Sequence, residues 1–174
     1  MKTFNLRVIL VSIAMAMTAT ATMAEAKAMQ IPNEVRTAIE AVLADEVAAW
    51  NHGDATAFAA HTTDDVVFTN VVGMFSVGRA PFVAQHARIF ATMYKGSTMS
   101  QAIEHIALVR PDVAIVETLT SVSNVVAAPP GAESTDGVFH ARLEQVMVRD
   151  GGHWSVASFH NVLVNAKAIA AAAR

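Results

Sequence analysis

The chain of 174 residues contains no cysteine. That excludes disulfides, a thiol nucleophile and thiolate metal sites, so stability has to come from packing. Charge is scarce as well: 16% of residues are charged and the net charge is −3, which leaves no basic patch for nucleic acid. No apolar run reaches the ~20 residues that a bilayer crossing requires. No Gly-x-Gly-x-x-Gly follows a strand pattern and no phosphate-binding loop occurs, so no nicotinamide, nucleotide or other cofactor is expected. The Gly-x-Ser-x-Gly elbow of esterases is missing. Seven histidines are present, yet none forms a His-x-x-x-His pair with an adjacent acid, and no metal site is expected.

What remains is a chain 53% hydrophobic, sized for one domain with a substantial core. Lys2 and Arg7 precede an apolar run from Val8 to Met17, followed by small residues through Ala24-Glu25-Ala26. This pattern predicts a signal peptide over 1–26 and a mature single domain over 27–174. A periplasmic or secreted protein with no stable membrane insertion after cleavage is the expectation.

Along the mature chain, Val35, Ile39, Val42, Leu43, Glu46 and Trp50 recur at helical spacing, with Asn33 as a candidate cap and Asn51-His52-Gly53 as the stop. Asp54 suits the cap of a short second helix from Ala55 to about His61. Val66 to Asn70 and Met74 to Val77 read as a small hairpin around Gly73, and a third helix is predicted from Pro81 to about Tyr94. Phe82, His86 and Phe90 then share one helical face. Two long β-branched strands follow, Thr98 to Val109 and Val113 to about Val126, turning at Arg110-Pro111-Asp112. The Pro129-Pro130-Gly131 loop leads into a second hairpin, Val138 to Val164, closed by Asp150-Gly151-Gly152. Asn165 to Arg174 is alanine-rich and helix-prone. This order predicts an α+β domain: a strongly bent antiparallel sheet with about three helices over one face, leaving a conical cavity.

The final hairpin carries the functional expectation. Strict alternation puts Arg142, Glu144, Val146 and Val148 on one row and Trp154, Val156, Ser158 and His160 on another, interleaving ionisable and apolar groups as a pocket wall would. His160 is then a candidate general base, since histidine titrates near neutral pH. It equally suits a partly buried histidine bonded to a carbonyl. Arg142 is a candidate oxyanion or carboxylate binder, or a partner for Glu144. His86 is placed to meet His160 across the cavity. Asn70 suits either a ligand carbonyl or a turn cap. Trp50, Phe68 and Phe90 are expected as walls, and Glu117 and Glu144 as further ligand contacts, although alternation leaves the face of Glu117 undecided. Tyr94, the only tyrosine, ends its helix and is not expected to supply a hydroxyl inside the cavity.

From Val35 to Val164 the chain resembles the nuclear transport factor 2-like superfamily, in its SnoaL-like branch. The resemblance is carried by Trp50-x-x-Gly53-Asp54, Asp64-Asp65-Val66-Val67-Phe68, Gly73 to Gly78 and the strand from Trp154 to His160. Phe68-x-Asn70-x-x-Gly73, the helix of Phe82, His86 and Phe90, and Arg110-Pro111-Asp112-Val113-Ala114 are similar to the SgcJ/EcaC family within it. The resemblance implies a cone-shaped, cystatin-like fold, an apolar pocket with a few polar residues, and a homodimer formed across the sheet. It implies a small, partly apolar ligand and, in some members, isomerase, dehydratase, cyclase or oxidoreductase activity. Fold alone does not settle function. The expected chemistry is proton transfer next to a carbonyl, with His160 or His86 as base and Arg142 or Asn70 facing the oxyanion. A non-catalytic binding or assembly module is the rival.

Overall fold

A computed structural model describes residues 30–165, so the predicted leader and the alanine-rich tail beyond Asn165 lie outside the described residues. Three helices, α1 (Asn33–His52), α2 (Ala55–Phe58) and α3 (Arg79–Ala91), cover one face of a six-stranded sheet. The strands are β1 (Thr62–Thr69), β2 (Phe75–Val77), β3 (Thr98–Arg110), β4 (Val113–Ser123), β5 (Phe139–Asp150) and β6 (His153–Leu163), in the spatial order β2-β1-β6-β5-β4-β3. The α+β class with a curved sheet holds. The sheet is mixed, however, because β1 pairs in parallel with β6 while every other pair is antiparallel.

Local chemistry explains most boundaries. α1 runs until Gly53, whose φ of 67° makes the left-handed C-cap that a side chain would oppose. Asn33 is already the first helical residue, behind Pro32, and gives no side-chain cap. Asp54 does cap α2, accepting from the backbone N–H groups of Thr56 and Ala57, but the helix stops at Phe58, so that β1 begins four residues before the expected Val66. The final hairpin turns through Gly151 and Gly152, both at positive φ, the geometry that matches strand twist in a two-residue loop.

The core lies between α1, α3 and the covered face of the sheet. Val35, Ile39, Val42 and Leu43 from α1 pack with Val66, Val116, Met147, Val156 and Phe159 from the strands. Phe82 of α3 is fully buried and stacks against Phe58 at 5.7 Å and Phe159 at 5.0 Å. Each such ring buries enough apolar surface to contribute roughly 2–3 kcal/mol. One irregularity decides the site: the β5–β6 register shifts between Val146 and Met147, which pair with Ser158 and Val156, leaving Ala157 as an extra residue in β6.

Candidate functional site

The open end of this core is a cavity of about 480 Å³. Its walls come from α1, α2, α3 and the inner rows of the sheet, with the β1–β2 turn and the Pro129-Pro130 loop at its rim. Trp50 is held there by its own neighbourhood. Its indole Nε1 donates to Ser97 Oγ at 3.0 Å, and the next residue, Asn51, exchanges two hydrogen bonds with the backbone of Met99, so the end of α1 is clipped onto β3.

His86 sits in an aromatic cage. Ring centroids lie 4.2 Å away for Phe82, 4.7 Å for Phe58, 5.2 Å for Phe68, 5.9 Å for Phe90 and 6.4 Å for Trp50. Its Nδ1 bonds the Phe82 carbonyl at 2.8 Å, so in the neutral ring that nitrogen carries the proton and donates. Nε2 is left as an acceptor with no partner among the described residues, on a side chain that lines the cavity. Burial disfavours the charged form and lowers the His86 pKa to about 4, against a smaller opposing effect of the Phe82 carbonyl. The ring is neutral at physiological pH.

Of the walls expected from sequence, Trp50 and Phe68 line the cavity. Phe90 does not: it is buried behind Trp50, 5.0 Å ring to ring, and Phe58 and Phe159 take the wall instead. Asn70 lines the rim with its Oδ1 committed to the backbone N–H groups of Val72 and Met74, which is the turn-capping role. Only its Nδ2 donor remains for a ligand.

His160, Arg142, Glu144 and Glu117 are corrected by the register. Inward-facing β6 residues are Trp154 and Val156 and then, past the extra Ala157, Phe159, Asn161 and Leu163. His160 is thereby turned to the uncovered face and exposed. The same face holds Arg142 and Glu144, because Leu143, Gln145 and Met147 are the buried residues of β5. Glu117 falls on it too, between the buried Val116 and Thr118. Direct cross-strand pairs His105–Glu117, Glu117–Glu144 and Glu144–His160 form a ladder across four strands, and Arg142 pairs with Glu104 of β3. Partial burial, followed by the adjacent Glu144, raises the Glu117 pKa, with His105 opposing. These residues do share a face, but it is the face away from His86.

Two residues were missed. Tyr94 lines the cavity because α3 ends at Ala91 and the following turn swings the ring against Trp50, 5.2 Å between centroids. Burial pushes its pKa up to about 12, which keeps the hydroxyl protonated as a donor. Glu46 is 2% exposed, beneath the sheet side of α1, with Gln145 Nε2 donating to both carboxyl oxygens at 2.8 and 3.0 Å. Burial pushes its pKa up to about 8; Gln145 and, less, Gln101 oppose the shift. Gln101 lies near enough for that influence, yet its amide makes no hydrogen bond, and neither does Gln145 Oε1. An acid inside the apolar stripe of the first helix was the available signal for Glu46.

Residues 43–151 match the SnoaL-like domain, and the chain belongs to that family. Its fold is that of the nuclear transport factor 2-like, cystatin-like proteins. A solved protein with a cystatin-like fold from Caulobacter vibrioides superposes with a TM-score of 0.69 at 26% identity, over 78% of this chain and 94% of that one. A ketosteroid isomerase-like protein from Erwinia carotovora atroseptica gives 0.60 at 21% identity, over 77% and 99%. A hexachlorocyclohexane dehydrochlorinase (LinA) type 2 gives 0.61 at 15%, over 75% and 85%. No curated protein matches significantly.

Proposed function

We propose that the domain takes a small, partly apolar molecule into the aromatic cavity and transfers a proton next to its carbonyl, as an isomerase, cyclase or dehydratase does. The observation that carries this reading is the fixed tautomer of His86: Nδ1–H is spent on the Phe82 carbonyl, so the lone pair of Nε2 is the group offered to a ligand. His86 acts as the base, and the Tyr94 hydroxyl, with Asn70 Nδ2 at the rim, donates to the developing oxyanion. The ketosteroid isomerase-like and dehydrochlorinase neighbours support chemistry of this class only through their shared fold. The similarity to the SgcJ/EcaC family supports the same pocket, since Phe68, Asn70 and His86 belong to it. The leader pattern supports export, and the aliphatic side chains Ile115, Val146, Leu119 and Val162, which are interspersed with the charged pairs on the outer face, support a homodimer. The test is proton–deuterium exchange at the carbon next to the carbonyl of 2-tetralone in D₂O, followed by NMR. The expected result is enzyme-dependent exchange that falls at least about 100-fold in His86→Ala and about 10-fold in Tyr94→Phe.

The low basicity of His86 favours a second reading, ligand binding without turnover. Retained binding of 2-tetralone with no exchange above background would select it.

A further inference from the structure

The polar equipment of the cavity rim is one-sided. No aspartate or glutamate is among the described residues that line the cavity, although the protein as a whole is acidic with a net charge of −3. One lining side chain, Arg88, carries a permanent positive charge, and it has no ion pair or side-chain hydrogen bond among the described residues. Gln85, one turn earlier on α3, lines the same rim and brings amide donors to it, and Asn70 adds an Nδ2 whose oxygen is already committed. Below this rim come the neutral His86 and the aromatic walls. Permanent charge among the described lining residues is therefore confined to the Arg88 guanidinium at the mouth, while neutral polar groups such as Gln101 and Thr120 are interspersed with the rings.

We propose, resting on the ligand-cavity reading above, that Arg88 is a specificity-determining residue and that the ligand is an amphipathic monoanion whose carboxylate sits at the rim. Its apolar body fills the space between Trp50, Phe58 and Phe68. A guanidinium and a carboxylate make a charge-assisted, bidentate contact that a neutral isostere cannot reproduce. Because Arg88 is exposed, solvent and salt screen the pair, and the preference it confers is modest. A rival role is available to this residue: it lies in the last turn of α3, where a cation suits the helix dipole. That role would show in the melting temperature and not in ligand choice.

Equilibrium dialysis of the full chain against 2-naphthoate and 2-naphthamide at neutral pH tests this, since the two probes share ring and size and differ in charge. Wild type should bind naphthoate about 3- to 10-fold more tightly, and 0.5 M NaCl should erode the difference. R88Q should bring the two affinities within about twofold. R36Q, which removes an equal charge from the exposed Arg36–Glu40 pair on α1, should keep the preference. Equal affinities in wild type, or a preference that survives R88Q, would overturn the assignment while naphthamide binding leaves the ligand cavity standing. Failure of both probes to bind would remove the cavity reading and the assignment together.

Discussion

Replacing Glu46 with glutamine should stabilise the protein, and increasingly so as pH rises. The native carboxyl is 2% exposed, has no cation beside it, and holds its proton up to about pH 8, whereas an unfolded glutamate releases it near 4.5. Between those values the native state binds more protons than the unfolded state, so stability falls as pH rises through the window and levels off above it. At ~1.36 kcal/mol for each pH unit, the wild-type loss approaches 1 kcal/mol at pH 5, about 3 at pH 7 and about 4 at pH 8, as upper values. Glutamine has no proton to lose. Its carbonyl can still accept from Gln145 Nε2, and its amide can donate to Gln145 Oε1 or Gln101 Oε1, both unpartnered in the native protein. His86 works in the opposite direction: its pKa, lowered from 6.5 to about 4, makes stability fall as pH drops through that interval. Because both proteins keep His86, the difference between them isolates Glu46. Urea titrations by far-ultraviolet circular dichroism at pH 5, 6, 7 and 8 supply the numbers. A Glu46→Gln protein less stable than wild type at pH 8, or a gap of equal size at pH 5 and pH 8, would refute the account of Glu46 as a buried, proton-holding acid.

Three other outcomes follow from the structure. His160→Ala should leave naphthamide binding per folded molecule within about twofold of wild type, while Trp154→Ala, which truncates a 4% exposed ring covered by the Arg149 guanidinium at 5.5 Å, should cost about 3–5 kcal/mol in urea melts; loss of binding in a folded His160→Ala protein would return that residue to the site. Light scattering should find a dimer at micromolar concentration, and Leu119→Arg, at the partner position of Arg142 on the outer face, should yield a monomer; a monomeric wild type removes the dimer. Intact-mass measurement of exported protein should find the chain starting near Lys27, and a mass that retains Met1 to Ala24 removes the signal-peptide reading.

Periodicity and turn chemistry made the helices, the long strands and the Gly151-Gly152 hairpin legible, because each depends on residues close in sequence. Parallel pairing of β1 with β6 was invisible for the opposite reason: no local pattern announces a partner near the other end of the chain. The site was half legible. Trp50, Phe68, Asn70 and His86 reached the cavity on the strength of helical spacing and strand-end position. His160 did not, since one extra residue at Ala157 inverts everything after it, and a run such as Val156-Ala157-Ser158-Phe159 carries no glycine to mark a bulge. Tyr94 was misjudged because leaving a helix early redirects a ring as surely as staying in it.

The pairing of β1 with β6 also makes this fold a circuit that closes late. Val67 meets Ser158 and Phe68 meets Phe159, partners 158 − 67 = 91 residues apart, so the small hairpin and the helices that flank it lack their central neighbour until β6 has been made. Contacts between residues so far apart must overcome a large loop entropy before they contribute anything, which slows folding.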